Sequence, residues 1–536
     1  MDLVHMVQPG MTHWRMWTIG AAALVILAAC SSSDEPNVVA GPLSPIHAEP
    51  DPDNGGRFVD AEGREVMFSG VNVNSYGEYW QRDPDIAPTF PFGEEDVDRL
   101  QSMGWNAVRL LLTWSRVEPT PGAYDEDYLD EIEDAVRLIE SRGLYTIIDF
   151  HQDAWGPSLA AREDENCPEG YYEAVGWDGA PEWATQHNDA SRCIEDHPGW
   201  GEREFSPAGI QAFLSFWEDR EGPGGMGIQA RFHSMLRHVA RRFSKFDCVL
   251  GYDPMNEPNA LSETVAAGVA PEIGEQSAEL EAFYVRALEA IREGERLANS
   301  PNRLMLFEPS FEWVQLGPNS VIPVFEHDGQ TVYSPHIYQE GIDPGTLDDA
   351  VFERVHEEAA MNGGVPVLTG EWGTQPRRAT DPEDDYFERH QGLQDKYRVS
   401  ATQWLWREAC GDPHHARNPY EGVDPAMWGY YDVDCPSNQT IGFREDYAAV
   451  LRRPLMRAAP GRIASILWDY ENDRYTASGT MARPGQKLLL FLHEEIDVSQ
   501  LTLTGLESPA LEEAIGPGEI WSAITTAEDW TIEVSF

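Results

Sequence analysis

Lysine is nearly absent from this chain of 536 residues and occurs only at Lys245, Lys396 and Lys487. Basic residues are scarce as a whole: 38 lysines and arginines stand against 92 aspartates and glutamates, for a formal net charge of -54. Because this charge repels phosphate backbones and anionic lipid headgroups, we expect no binding of nucleic acid.

Metal and nucleotide signatures are missing as well. The spacings CxxC and HExxH do not occur, so a zinc ion is not expected. No glycine-rich phosphate-binding turn follows an early strand, which argues against a dinucleotide-binding sheet. The sequence therefore predicts neither a metal nor a cofactor. What is present, a hydrophobic content of 41% with 18 tryptophans, favours a folded protein with a large core.

The N-terminus carries a short apolar run, residues 16–29, preceded by a histidine and an arginine. The run is too short to cross a bilayer comfortably and has the flanks of a signal peptide. Its end, Leu-Ala-Ala-Cys at 27–30, resembles the bacterial lipobox, which implies cleavage before Cys30 and a lipid on its sulfur. We predict a signal peptide over 1–29, a flexible tether over 30–56 and membrane contact through the lipid. An ordinary secretory signal and an uncleaved anchor are the alternatives.

The predicted location is therefore extracytoplasmic, as a bacterial cell-envelope lipoprotein or a secreted protein. Disulfides form outside the cytoplasm, which changes how the other cysteines are interpreted. The natural pairs are Cys167–Cys193 and Cys410–Cys435, each of which would close a loop between predicted elements. Cys248 lies inside an apolar strand and is predicted to be a buried free thiol.

Eight short apolar segments alternate with helical patterns through the middle of the chain. The predicted strands are Val66–Val73, Ala107–Trp114, Tyr145–Phe150, Val249–Met255, Leu304–Phe307, Thr331–His336, Val365–Thr369 and Ser400–Trp406. The predicted helices are Gly93–Met103, Tyr124–Arg142, Pro207–Phe243, Ala278–Ala298, Thr346–Met361 and Asp381–Tyr397. This alternation favours an α/β protein with a parallel (β/α)8 TIM barrel, which we place at 57–456. Short extended runs predict a C-terminal all-β, sandwich-like domain over 457–536.

Polar and aromatic side chains stand at or near the ends of six predicted strands. They include Arg109, Asp149, His151, Asp153, Asn256, Glu257, His336, Tyr338, Glu371, Trp404 and Trp406. The C-terminal ends of barrel strands meet at one mouth, where barrel enzymes build their active sites. Two carboxyl groups on different strands suit the hydrolysis of a glycosidic bond, and Glu257 and Glu371 are the expected pair. Glu308 and Glu340 are interpreted as acids that bind water or cap loops.

These residues resemble glycoside hydrolase family 5, whose members are retaining (β/α)8 hydrolases. The resemblance covers the chain from about Arg57 to the C-terminus. It is carried by Asn-Glu-Pro at 256–258, Gly-Glu-Trp-Gly at 370–373, His-Ile-Tyr at 336–338 and Arg109. Within the family, the segments 149–153 and 251–257 and the C-terminal β region are most similar to endoglycoceramidases.

The resemblance implies roles for the charged residues. Glu257 would be the general acid/base and Glu371 the nucleophile of a double displacement. Arg109 would keep Glu371 ionised, Tyr338 would donate a further hydrogen bond to it, and His336 would lie near Glu257.

The remaining predicted residues would bind the sugar. The resemblance implies that Asn256 holds the sugar 2-hydroxyl and that His151 and Asp153 bind other hydroxyls. Trp404 would offer a flat apolar face to the sugar ring. Trp406 lies two residues further on the same predicted strand face and is the alternative.

The leading hypothesis is a secreted retaining β-glycosidase, endoglycosylceramidase-like, that hydrolyses the bond between a sugar and ceramide or a related lipid. Its expected partner is a glycolipid or oligosaccharide substrate, and we expect a monomer. The resemblance also implies a sugar-contacting lysine after the first strand, but residues 70–80 contain none. The alternatives are an endo-β-glucanase or mannanase acting on a soluble polysaccharide, and a non-catalytic carbohydrate-binding surface lipoprotein.

Overall fold

A computed structural model of the protein describes residues 43–162, 165–195, 206–260, 277–311, 313, 322–342, 345–378, 381, 384–413, 428–435 and 437–536. These residues belong to one compact unit, Ala40–Phe536. The predicted signal peptide, Cys30 and the first part of the predicted tether lie outside the described residues.

Eight parallel strands form the barrel. Their bounds are Ser69–Val73, Ala107–Leu112, Tyr145–Phe150, Val249–Asp253, Leu304–Phe307, Thr331–Tyr333, Leu368–Thr369 and Ser400–Gln403. Seven neighbouring pairs are hydrogen-bonded in parallel, including the eighth strand with the first. Parallel bridges from Tyr333 to Val367 and from Ile337 to Trp372 join the sixth strand to the seventh. The predicted (β/α)8 barrel is confirmed.

The barrel strands are buried on both faces, which explains their nearly continuous apolar composition. The second and third strands, Ala107–Leu112 and Tyr145–Phe150, are buried at every position. Arg109 and Asp149 are the charged residues within them. A buried charge requires a partner, so these two positions already indicate where the polar centre of the barrel lies.

Helices alternate with the barrel strands. Those of the described residues are Glu94–Ser102, Trp114–Val117, Glu126–Glu140, Pro207–Trp217, Ile228–Phe243, Ala278–Ala298, Asp349–Met361, Tyr386–Tyr397 and Glu445–Leu451. The single helix predicted over Pro207–Phe243 is wrong, because Gly-Pro-Gly-Gly at 222–225 interrupts it. Proline lacks the amide that a helix interior needs, and glycine disfavours the helix entropically.

Two antiparallel sheets make up the all-β part. The larger contains, in spatial order, His47–Glu49, Arg57–Val59, Arg64–Val66, Leu455–Pro460, Lys487–Leu492, Gly518–Thr525 and Leu506–Ile515. The smaller contains Arg462–Asp469, Arg474–Thr480, Trp530–Ser535 and Leu501–Thr504. Both sheets contribute to one hydrophobic core, which includes Tyr475, Leu490 and Trp530. The sheets therefore form a sandwich.

The strands near the N-terminus belong to this sandwich and not to the barrel. The predicted tether, 30–56, contains the strand His47–Glu49, and the predicted barrel segment, 57–456, begins with two strands of the larger sheet. Strand Arg64–Val66 pairs with strand Arg57–Val59 and with strand Leu455–Pro460, so these strands belong to the larger sheet although they precede the barrel in sequence.

Both predicted disulfides, Cys167–Cys193 and Cys410–Cys435, are confirmed, and Cys248 is a buried free thiol. Each disulfide braces a two-stranded hairpin in a long segment that follows a barrel strand. The hairpins are Tyr171–Glu173 with Cys193–Glu195, and Tyr431–Asp434 with Gln439–Phe443. Within the described part of the chain, no helix combines the length and the apolar character that crossing a bilayer requires.

Candidate active site

Arg109 is the central charged residue of the barrel mouth, and its side chain is fully buried. Its Nη2 donates hydrogen bonds to Asp149, Asp253 and Glu308 at 3.0, 2.9 and 3.2 Å. Its Nη1 donates to Glu371 Oε1 at 2.9 Å. These four carboxyl groups lie on or directly after the third, fourth, fifth and seventh strands. One arginine on the second strand thus holds the carboxyl groups of four other strands at one point.

Burial acts against the ionisation of these carboxyl groups. It raises the pKa of Asp149 to about 7 and the pKa of Glu371 to about 7, although nearby positive charges lower both. Burial also raises the pKa of Asp253 and Glu308. Near neutral pH the cluster therefore retains protons that the same residues would lose in water.

Glu371 accepts hydrogen bonds on both of its oxygens. Arg109 bonds to Oε1, and the hydroxyl of Tyr338 donates to Oε2 at 2.9 Å. The expectation that Arg109 keeps Glu371 ionised is incomplete: Arg109 lowers the pKa of Glu371, but burial outweighs it. The carboxylate form makes use of both donors, so ionisation of Glu371 depends on keeping them in place.

His336 lies between the two predicted catalytic glutamates. Its Nδ1 is 2.8 Å from Glu257 Oε1 and 3.6 Å from Glu371 Oε2. Its Nε2 is 3.2 Å from Glu308 Oε1. Burial lowers the pKa of His336. The carboxyl groups of Glu308 and Glu371 raise this pKa by more than burial lowers it, so that it lies well above the ordinary value. Nδ1 is hydrogen-bonded to Glu257, whereas Nε2 forms an ion pair with Glu308 and has no hydrogen-bond partner among the described residues, and we assign His336 as an imidazolium.

Glu257 and Glu371 differ in exposure but lie close together. The side chain of Glu257 is 24% exposed and that of Glu371 is 7% exposed. A carboxyl oxygen of Glu257 lies within 4.8 Å of one of Glu371. Retaining glycosidases place their two carboxyl groups roughly 5–5.5 Å apart, and inverting ones place them roughly 6.5–9.5 Å apart. The separation therefore fits the retaining arrangement.

The backbone at Glu257 adopts a left-handed conformation with φ 41°. Its amide donates to Glu308 Oε2 at 2.9 Å, and Gln152 Nε2 donates to the carbonyls of Asn256 and Glu257 at 2.7 and 3.0 Å. The side-chain oxygen of Asn256 accepts from Arg109 at 3.0 Å. A left-handed non-glycine residue is uncommon, and here bonds from the neighbouring strands hold it.

His151, Asp153 and Trp404 form another part of the mouth. His151 Nδ1 is 2.8 Å from Asp149 Oδ2, and its Nε2 is 4.0 Å from Asp153 Oδ2. Burial lowers the pKa of His151 to about 3, so the ring is neutral at ordinary pH. The ring stacks on Trp404 with centroids 5.3 Å apart and planes at 14°. With Nδ1–H directed to Asp149, Nε2 is an acceptor that suits a hydroxyl donor.

Among the residues that the structure describes, two groups of side chains bring possible metal-ligand atoms within 4.8 Å of one another: His151, Asp153 and Asp178, and Glu257, His336 and Glu371. In the second group both nitrogens of His336 face carboxyl oxygens at hydrogen-bond distance. This arrangement serves hydrogen bonding, because an imidazolium has no lone pair to offer a metal.

The structure brings the predicted site residues together at one mouth. Arg109, Asn256, Glu257, His336, Tyr338 and Glu371 form one hydrogen-bonded network, which reaches His151 and Trp404 through Asp149. Trp406 is not part of it: the eighth strand ends at Gln403, and Trp406 Nε1 donates to Asp96 at 2.9 Å. The predicted shared face of Trp404 and Trp406 is therefore wrong.

Three buried acids of the network, Asp149, Asp253 and Glu308, had no predicted role in it. Asp149 alternates with His151 along the third strand, a signal that the sequence did contain. Asp253 lies within the fourth strand, and Glu308 directly follows the fifth. The interpretation of Glu308 as a loop cap is wrong, because its carboxyl group contacts Arg109, His336 and the Glu257 amide. Glu340 does cap a loop: it accepts from the Leu347 amide at 3.3 Å.

A parallel barrel whose mouth holds two facing carboxyl groups beside a buried arginine defines the class of (β/α)8 glycoside hydrolases. The family model for cellulase, glycosyl hydrolase family 5, matches residues 59–409, more than half of the chain. The chain belongs to glycosyl hydrolase family 5.

Similar proteins narrow the comparison. The chain is 26% identical to endoglycoceramidase I of Rhodococcus hoagii over 308 residues, which are 56% of this chain and 54% of that protein. It is 27% identical to an endoglycoceramidase of Cyanea nozakii over 224 residues, 38% of this chain and 40% of that protein. The matches thus span about half or less of these relatives. A crystal structure of an endogalactoceramidase has a TM-score of 0.77 and 30% identity, covering 92% of this chain and 100% of that one.

We expect Tyr338→Phe to move the acidic limb of the kcat/KM profile for an aryl β-glycoside to higher pH by about one unit. The substitution removes a donor to the Glu371 carboxylate. A hydrogen bond to a charged group contributes about 1.5–3 kcal/mol. Without that bond the pKa of Glu371 rises further, so ionisation requires higher pH. The pH dependence of initial rates measures the shift.

Tyr333→Phe is the matched control for this measurement. Tyr333 is also buried in the barrel, but its hydroxyl bonds to Glu358, which is not part of the network described above. Its profile should keep the wild-type limb, and an unshifted Tyr338→Phe profile would contradict the assigned contact.

Proposed function

We propose that the protein is a retaining β-glycosidase that hydrolyses the bond between the sugar and the ceramide of glycosphingolipids, or a related lipid glycoside. The observation that carries the proposal is the pair Glu257 and Glu371 within 4.8 Å, with His336 between them. The lipid aglycone is supported by the endoglycoceramidases and the endogalactoceramidase among the similar proteins.

In the first step Glu371 attacks the anomeric carbon, and Glu257 gives its proton to the glycosidic oxygen. The carbon–oxygen bond to the aglycone breaks, the aglycone leaves as an alcohol, and the sugar is joined to Glu371 as an ester. The exposure of Glu257 suits a group that must meet a leaving oxygen in the cleft. The burial of Glu371 suits a nucleophile shielded from water.

In the second step Glu257, now a carboxylate, takes a proton from water while the water oxygen attacks the anomeric carbon. Glu371 is released and the sugar keeps its original anomeric configuration. All groups used come from one chain, so the mechanism needs no second subunit.

The sugar would be held by groups that are already oriented. Asn256 uses its oxygen for Arg109 and one N–H for the carbonyl of Gln152, at 3.2 Å, which leaves a second N–H for the 2-hydroxyl. Neutral His151 and Asp153 offer acceptors to other hydroxyls, and Trp404 offers an apolar face. Contacts that strengthen toward the oxocarbenium-like transition state contribute to rate and not only to binding.

Substitution of the two glutamates tests the chemistry. Glu371→Ala should reduce kcat on aryl and lipid glycosides by about 10⁴-fold or more, because no covalent intermediate can form. Glu257→Ala should spare substrates with good leaving groups, lose about 10²–10⁴-fold on poor ones, and regain rate with azide. Steady-state kinetics on a leaving-group series measures both effects.

Glu340→Gln serves as the matched control, since Glu340 is a partly exposed glutamate whose contacts are Arg389 and a loop amide. It should remain within a few-fold of wild type. Full activity in both Glu257→Ala and Glu371→Ala would refute the assignment.

The products identify the substrate class. Digests of glucosylceramide, galactosylceramide and a ganglioside in detergent micelles should yield ceramide and the intact sugar on thin-layer chromatography. The Glu371→Ala variant run in parallel excludes a contaminating activity. Oligomers released only from β-glucan or mannan would indicate a polysaccharide hydrolase instead, and binding to both panels without cleavage would indicate a non-catalytic protein.

We further propose that the mature chain is exported and anchored in a bacterial envelope by a lipid on Cys30. The support is the apolar run 16–29 and its lipobox-like end. In a bacterial host, labelled palmitate should be incorporated into the full chain, and the labelled protein should fractionate with membranes. The Cys30→Ser substitution should abolish both the labelling and the membrane fractionation. Equal labelling of the Cys30→Ser variant would contradict the anchor, with Cys248→Ser as the control for a thiol unrelated to export.

A further inference from the structure

Glu308 is a buried acid of the mouth for which the proposed mechanism has no role. It directly follows the fifth strand, and its side chain is 2% exposed. Its backbone is fixed on both sides by Tyr284, whose hydroxyl accepts from the Glu308 amide at 2.9 Å and donates to the Glu308 carbonyl at 3.0 Å. Burying a carboxyl group this completely is costly unless the group has defined partners.

The partners of Glu308 are the groups that hold the two catalytic glutamates. Its Oε2 accepts from the backbone amide of Glu257 at 2.9 Å. Its Oε1 lies 3.2 Å from His336 Nε2 and 3.2 Å from Arg109 Nη2. His336 in turn reaches the Glu257 carboxyl group, and Arg109 reaches Glu371. The Glu308 carboxyl group is therefore linked to Glu257 through the Glu257 amide and through His336, and to Glu371 through Arg109.

We propose, on the basis of the function above, that Glu308 is the positioning residue of the proton donor. It holds the left-handed backbone of Glu257 through the amide and holds the Glu257 carboxyl group through His336. With His336 donating to Oε1 of Glu257, the other oxygen of Glu257 carries the proton that goes to the leaving group. Glu308 contacts no substrate in this role.

Glu308 also raises the pKa of His336, against the burial that lowers it. The groups that face His336 are Glu257, Glu308 and Glu371, with Asp149 and His151 further away. Among these, Glu308 is the partner of Nε2. Without it, His336 would lose its proton at lower pH, and a neutral ring could no longer form ion pairs with the carboxyl groups that face it.

The test compares Glu308→Gln with wild type on matched 2,4-dinitrophenyl and octyl β-glycosides of glucose, galactose and lactose. The substituted side chain keeps the shape of the glutamate but places a donor against one of the existing donors. We expect kcat/KM on the octyl glycoside to fall about 10- to 100-fold and kcat/KM on the dinitrophenyl glycoside to change less than about threefold, since kcat/KM reports cleavage of the aglycone bond and only the octyl glycoside needs proton donation for it. The basic limb on the octyl glycoside should move to lower pH.

Two further measurements separate positioning from folding. The pKa of His336, followed by NMR of ¹⁵N-labelled imidazole, should fall by about one unit or more in Glu308→Gln. Glu358→Gln is the matched control: Glu358 is a buried glutamate bonded to Trp313 and Tyr333, and its loss should affect both glycosides equally and leave His336 unchanged. If Glu308→Gln does not fold, Glu308→Asp, which keeps the charge but shortens the reach, should show the same substrate split.

The outcomes distinguish the two proposals. Wild-type enzyme inactive on every glycoside pair would overturn the proposed function. An active wild type with equal losses on both leaving groups, an unmoved basic limb and an unchanged His336 pKa in the Glu308 variant would overturn the positioning role alone.

Discussion

The buried guanidinium of Arg109 is the interaction on which the rest of the site depends. Asp149, Asp253, Glu308 and Glu371 converge on it from four different strands, and none of them faces open water. Without the guanidinium these carboxyl groups would converge with little positive charge between them. Removing one member of a buried ionic group costs about 3–5 kcal/mol. Arg109 thus stabilises the buried carboxyl groups of the barrel mouth as a whole, in addition to contacting Glu371.

The charge balance around Arg109 suits a reaction that moves protons. The cluster contains more acidic side chains than the two basic ones, Arg109 and His336. Burial raises the pKa of Asp149 and the pKa of Glu371 to about 7. Small changes in the surroundings can therefore switch the protonation of these groups near neutral pH. A covalent ester at Glu371 would remove one negative charge from the cluster, so each catalytic step alters the electrostatics felt by the other acids.

The sequence was sufficient for the barrel and for the residues that face the cleft. Apolar strands followed by Asn256, Glu257, Tyr338 or Glu371 follow a local pattern that can be recognised without coordinates. The roles of Asp253 and Glu308 were not predicted, because both residues bind Arg109, which lies 144 and 199 residues away from them in the sequence. The strand Leu506–Ile515 was not predicted for a different reason. It carries a proline and three glutamates and is largely exposed, so its composition does not indicate a strand. Its pairing with the buried neighbouring strand determines its conformation.

Glu257 shows how the barrel itself determines the position of the proposed proton donor. A left-handed backbone at a non-glycine residue costs about 1–3 kcal/mol and persists only where the surroundings enforce it. The enforcing bonds come from Gln152, after the third strand, and Glu308, after the fifth, which flank the fourth strand that carries Glu257. The register of three neighbouring strands therefore sets the direction of the carboxyl group. The tripeptide Asn-Glu-Pro predicts the proposed donor, whereas the orientation of its carboxyl group is a property of the sheet.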